Sequence, residues 1–198
     1  MTSLHVAVAS LHVVLGHVGS SLVYRWRYRR SPLVVYRAQA SPHRSWSRVA
    51  GAFALAWGAA LIASTYAPRF AATALGRARL DVPPAIAWTI ALGGLALMLA
   101  AQLAMGDGFR IGQDDRDAPP TLRTRGLHAI CRNPIYVGSW LALVGMTLWH
   151  PSIVLGLTCL GAGYAMHRLV RAEEAFLAAR FGAEFAAYRA RVRRYGAV

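Results

Sequence analysis

The chain has 198 residues, 56% of them hydrophobic, with a mean hydropathy of +0.37 and a formal net charge of +14. That is long enough for one sizeable domain, and too apolar, in blocks rather than in alternation, for an ordinary water-soluble globule. All 22 basic residues are arginines that flank the apolar blocks and form no continuous soluble face, which argues against a nucleic-acid partner and for membrane lipids.

Five apolar segments predict an all-α integral membrane protein of about five transmembrane helices, a single membrane domain over residues 1–198. Residues 4–24 are 21 in number, matching a hydrocarbon core of roughly 30 Å at about 1.5 Å per residue. No basic n-region or A-x-A cleavage site accompanies them, so they read as a retained span and not a signal peptide. His5 and His12 share a face of this span and His17 sits on another. Pocket lining or haem ligation is their functional reading, and helix contacts beside Ser10 and Ser20 are the plainer one, which we favour. Residues 49–66 and 85–105 follow as spans, the latter opened by Pro83-Pro84, where a first helical turn tolerates proline. These three N-terminal spans lie within residues 1–105.

Residues 106–198 hold the other two apolar segments and the polar clusters around them. Segments 135–149 and 152–169 are separated only by His150-Pro151, which predicts a tight helical hairpin over 134–171 with both open ends on one side. Its first arm, 15 residues, is short for a full crossing. In residues 172–190, Phe176, Leu177, Phe181, Phe185 and Tyr188 recur at helical spacing while Glu174, Arg180, Glu184 and Arg189 take other faces, which predicts an amphipathic tail helix on the cytoplasmic surface. Gly93, Gly94, Gly156, Gly161 and Gly163 read as close helix packing, and Met98, Met105 and Met146 as core fillers. Cys131 and Cys159 form no CxxC or zinc pattern and read as structural, with no metal site. Nineteen arginines fall in the segment after the first span, the one before the hairpin, and the tail, against three in the remaining loop. The positive-inside rule then places the protein in the cytoplasmic (inner) membrane with its N-terminus outside and its C-terminus in the cytoplasm.

A tight hairpin brings Arg132-Asn133-Pro134-Ile135-Tyr136 before its first arm close to His167, Arg168, Arg171, Glu173 and Glu174 after its second. Such a cluster suits a small zwitterion carrying a nucleoside. Pro134 fits the first helical position, with Asn133 as cap and the N–H groups of Ile135 and Tyr136 facing an anion. Arg132 has the fork to hold a carboxylate, Glu173 and Glu174 accept from an ammonium or ribose hydroxyls, and Tyr136 stacks on or hydrogen-bonds an adenine. The plainer reading is an interfacial ion pair beside a proline that merely starts a helix.

From Phe109 to Tyr195 the order of motifs is Gly126, then Arg132-Asn133-Pro134-Ile135-Tyr136-Val137-Gly138, then Glu173-Glu174-Ala175-Phe176-Leu177, Phe181-Gly182, Phe185, Tyr188, Val192 and Arg194. This resembles the C-terminal core of the isoprenylcysteine carboxyl methyltransferase and phospholipid methyltransferase superfamily of integral membrane enzymes. Phe109-Arg110-Ile111-Gly112 resembles its bacterial branch. Asn133 stands where many members have His, and His128 where an aromatic residue is usual. The resemblance implies S-adenosyl-L-methionine as methyl donor, bound by Gly126, Leu127, His128, Arg132, Asn133, Pro134, Tyr136, Glu173, Glu174 and Tyr188, with Arg132 and Glu174 catalytic. It implies a small-molecule or lipid acceptor, whether carboxylate, thiol, amine or lipid headgroup, with residues 106–198 as the cofactor-binding core and the three spans within residues 1–105 as the acceptor side. An amine or thiol would need a base, from His128, His167 or Glu174. Two rivals remain: a membrane reductase of the sterol-reductase type using NADPH, for which no GxGxxG speaks, and a non-catalytic scaffold, whose mark would be loss of the polar cluster.

Overall fold

The computed structural model describes residues 20–29, 42–73, 75, 80–109 and 121–196. Most of the predicted first span, with His5, His12 and His17, lies outside these residues, and its described end is helix α1, Ser20–Tyr28. Then come α2 (Pro42–Tyr66), the one-turn helix α3 (Pro68–Ala71), α4 (Pro84–Met105), 3-10 turns at Gly106–Gly108 and Gly126–Ala129, α5 (Pro134–Trp149) and α6 (Ile153–Arg191). Among the described residues there is no strand, only one isolated parallel bridge between Cys131 and Arg193. Among the described residues three helices, α2, α4 and α6, are long and apolar enough to cross a membrane, and α5 is a shorter apolar helix of 16 residues.

Prolines and one serine set the helix starts. Pro84 and Pro134 open α4 and α5 in the first turn, where the missing N–H has no helical acceptor to lose. Pro151 precedes α6, and Ser152 caps it by accepting from the Leu155 N–H at 3.1 Å. Asn133, predicted as the cap of α5, makes no side-chain cap bond, because its amide is engaged elsewhere. Helix α2 begins at Pro42 rather than near residue 49: the polar run PHRSWSR carries it beyond the apolar stretch.

In lipid, helices gain little from hiding apolar surface, so close van der Waals contact must hold them together. Helices α4 and α5 achieve it with their backbones. A Cβ on Gly138 would lie 2.5 Å from the Met98 nitrogen and 2.6 Å from the Gly94 oxygen. One on Gly94 would lie 2.5 Å from the Ala142 nitrogen, and one on Gly145 would strike the Ala91 backbone. Helix α2 lies mainly against α6, where the Phe53 ring covers Gly161. Trp57 joins the halves by donating from Nε1 to Thr147 Oγ1 at 3.0 Å, within a core that includes Leu61, Ala91, Leu143, Met146, Leu155 and Cys159. Both cysteines are buried and free.

The hairpin and tail differ from the expectation. Helices α5 and α6 are joined by three residues and touch at Trp140, which covers Gly163 and donates to the Cys159 carbonyl at 3.4 Å, yet α5 packs most extensively on α4 and α6 on α2. There is no separate helix over 172–190, for α6 runs unbroken through the predicted boundary. Residues 170–181, VRAEEAFLAARF, are mostly strong helix formers with no Gly or Pro to stop them. The break comes at Gly182, whose φ of 47° and ψ of −117° suit glycine. Beyond it Phe185, Tyr188 and Val192 turn inward onto Leu122, Leu177 and Phe181.

Candidate active site at the mouth of α5 and α6

Glu174 is 21 residues beyond Ile153, about 31 Å along a helix axis, a length comparable with a hydrocarbon core of roughly 30 Å. There it is the hub of a clasp. Its Oε1 accepts from Arg132 Nε at 3.0 Å and Nη2 at 2.9 Å and from Asn133 Nδ2 at 3.1 Å. Its Oε2 accepts from Arg194 Nε at 3.0 Å and Nη2 at 2.8 Å. The side chains of Arg132 and Glu174 are each 8% exposed. Arg132 Nη1 also donates to the carbonyls of Arg189 at 3.1 Å and Val192 at 2.8 Å.

The same contacts tie the end of the chain over the start of α5. The Arg132 N–H donates to the Arg193 carbonyl at 3.0 Å, Asn133 Nδ2 reaches the Arg194 carbonyl at 3.3 Å, and Cys131 Sγ reaches it at 3.5 Å. Tyr195 hydroxyl meets His167 Nδ1 at 2.8 Å. Residues 192–195 are thus a strap across the mouth.

Glu173, one position earlier on α6, faces elsewhere: its Oε2 accepts from the Tyr136 hydroxyl at 3.0 Å. Tyr188 is buried and donates to the His128 carbonyl at 2.6 Å, which fixes the Gly126–Ala129 turn against the tail. Arg132, Asn133 and Glu174 are therefore brought together, Tyr136 and Glu173 form a second pair beside them, and Tyr188 with His128, Leu127 and Gly126 forms the wall behind. Arg194 and Tyr195 were missed as contacts. The signal for Arg194 was its place at the end of the motif series.

Electrostatics separate the two acids. Burial alone pushes the Glu174 carboxyl up, but hydrogen bonds from Arg194 and Arg132 and their charges outweigh it and hold the group below the ordinary carboxylate range. Burial raises the Glu173 carboxyl, with the Tyr136 hydrogen bond pulling it back and the Glu174 charge adding to the rise. Burial, and then the Arg123 guanidinium, hold the His128 imidazole below its ordinary value, so it stays neutral where a free histidine would charge.

A carboxylate depressed in the folded state contributes stability that is complete above the unfolded value and is lost as pH falls through the folded one. Thermal melts of wild type and Glu174→Gln should differ most at neutral pH and converge as the pH is lowered below the carboxylate range. A gap that stays constant down to strong acid would show that the charge contributes nothing.

A family model for phospholipid methyltransferase matches residues 84–184, or 101 of the 198 positions. The chain belongs to the phospholipid methyltransferase family. The match opens at the first residue of α4 and closes two residues past Gly182, so it covers the glycine-packed helix pair, the Arg132 loop and both glutamates. Arg194, the second cation on Glu174, lies ten residues beyond it. No curated protein and no solved structure matches the chain. Its apolar helices and its membership of this methyltransferase family make it a membrane protein of the methyl-transferring kind.

Proposed function

We propose that the protein transfers a methyl group from S-adenosyl-L-methionine to a small or lipophilic acceptor at the cytoplasmic face of the inner membrane, its N-terminus outside. The observation that carries this reading is Glu173. It is a partly buried carboxylate held by Tyr136 at a helix mouth, with Oε1 left without a protein partner among the described residues. A donor with an ammonium, a sulfonium and ribose hydroxyls matches such an acceptor. On the anionic side, Arg132 Nη2 spends one contact on Glu174, which leaves one hydrogen for a carboxylate. The residues fit the group, with Arg132 contributing a single donor and not the two-pronged fork its sequence position suggested.

When bound, the donor supplies a methyl group already activated by the positive sulfur. What this chain contributes is alignment and exclusion of water. Glu173 would hold the cationic part, Tyr136 keeps Glu173 in place and offers its ring to the nucleoside, and the Arg132–Glu174–Arg194 clasp keeps the Asn133-Pro134 loop rigid. A carboxylate acceptor needs no base. For an amine or thiol the available group is His167, whose Nδ1 is fixed by Tyr195. Both oxygens of Glu174 are occupied and the His128 ring is buried. The first three spans would supply the acceptor pocket, consistent with a lipid or lipid-like acceptor entering from the bilayer.

Calorimetry with S-adenosylhomocysteine tests this. Wild type should bind, and Glu173→Gln should weaken binding at least tenfold, since a hydrogen bond to a charged group is worth about 1.5–3 kcal/mol. Absence of binding to wild type, with retention of NADPH instead, would transfer the protein to the reductase class.

A further inference from the structure

The outward face of α6 ends in a cation the clasp does not use. Ile153, Leu157, Leu160 and Tyr164 are exposed and recur at steps of four, three and four residues, so they form one stripe along the helix. Leu157 and Leu160 are 63% and 64% exposed. Four residues on, at the end of the stripe nearest the clasp, stands Arg168. Its guanidinium carbon sits 4.5 Å from the ring centre of Trp46 on α2 and 5.9 Å from that of Tyr164, and its Nη1 donates to the Tyr164 hydroxyl at 3.0 Å. The two rings meet edge to face at 5.8 Å. Among the described residues nothing pairs with Nε or Nη2 of Arg168, nor with the exposed Arg171 one turn further along the face. Among the described residues the two nearby acids on the same helix are engaged elsewhere: Glu174 is turned to Arg132 and Arg194, and Glu173 to Tyr136.

An apolar stripe on a membrane-crossing helix, running into a guanidinium that is held still with one edge free, matches an amphiphile with an anionic head. We propose that this face binds one anionic phospholipid, its acyl chains along Leu157 and Leu160 and its phosphate at Arg168 and Arg171. The site stands apart from the Glu173 and Glu174 cluster and does not depend on the methyl-transfer reading. Trp46 and Tyr164 hold the guanidinium in advance, so little side-chain freedom is lost on binding.

The test is native mass spectrometry of the full chain in micelles titrated with phosphatidylglycerol, with phosphatidylcholine, and with phosphatidylglycerol in the presence of glycerol 3-phosphate. Wild type should retain phosphatidylglycerol at least tenfold better than phosphatidylcholine. Arg168→Gln should reduce that preference to within twofold, and Arg171→Gln should lower it by a smaller factor. Glycerol 3-phosphate should not compete. Equal retention of the two lipids by wild type overturns the proposal, as does an undiminished preference in Arg168→Gln. Competition by glycerol 3-phosphate overturns it in favour of a soluble anion. Should Arg168→Gln fail to fold, Arg171→Gln decides, because its side chain is exposed and makes no hydrogen bond or ion pair among the described residues: an unchanged preference there rejects the site.

Discussion

Glu174→Ala is expected to destabilise the protein by about 3–5 kcal/mol, the usual loss when one partner of a buried ion pair is removed and the other is left uncompensated. Arg132 is the partner that suffers, since its side chain is 8% exposed, whereas that of Arg194 is 35% exposed and can reach water. The order of damage should be Glu174→Ala, then Arg132→Ala, then Arg194→Ala. Each variant should also loosen the strap, because the carbonyls of residues 192–194 are held by Arg132 and Asn133. Melting temperature in detergent and cleavage after Arg191 or Arg193 by trypsin read the two effects separately. If Glu174→Ala melts with wild type and resists trypsin equally, the clasp does not hold the mouth together.

Gly138→Ala should be nearly as damaging, although it adds a single methyl group. The new carbon would fall 2.5 Å from the Met98 nitrogen, and since that neighbour is backbone, no rotamer change relieves it. The helices must part, at a cost of at least about 1–3 kcal/mol by the usual scale of overpacking, plus the dispersion lost along the seam. Gly93→Ala is the control: a Cβ there meets nothing within 4 Å. Methyl transfer and thermal stability should collapse in the first variant and persist in the second. Equal tolerance of both would mean that α4 and α5 do not approach as closely as described.

The two glycines also show what could be read from the sequence. Gly93 and Gly94 were both expected at a helix contact, and only Gly94 is there; Gly156 is open, while Gly161 and Gly163 lie under Phe53 and Trp140. A helix that is apolar nearly all round carries no moment to say which side meets its neighbour. Motif chemistry was more legible. Arg132 and Glu174, 42 positions apart, are expected together because a short connection between two apolar helices brings the open ends of the pair side by side, and they are in contact. The part played by Arg194 was hidden, since its approach depends on the turn at Gly182 and on Tyr188 gripping the His128 carbonyl, neither of which leaves a periodic trace. Helix α6 runs on past residue 172 because amphipathic patterning there marks a change of surroundings along one rod and not a new element.

That rod has a mechanical implication. The leucines that face the bilayer and the acids at the mouth belong to one uninterrupted helix, so a lean of the inserted part is delivered undamped to the far end. Pivoting near Ile153 by roughly 10° would sweep Glu174 sideways by about 5 Å over a lever of about 31 Å, more than its bonds to Arg132 tolerate. Tilt of this helix and closure of the clasp would then be one motion.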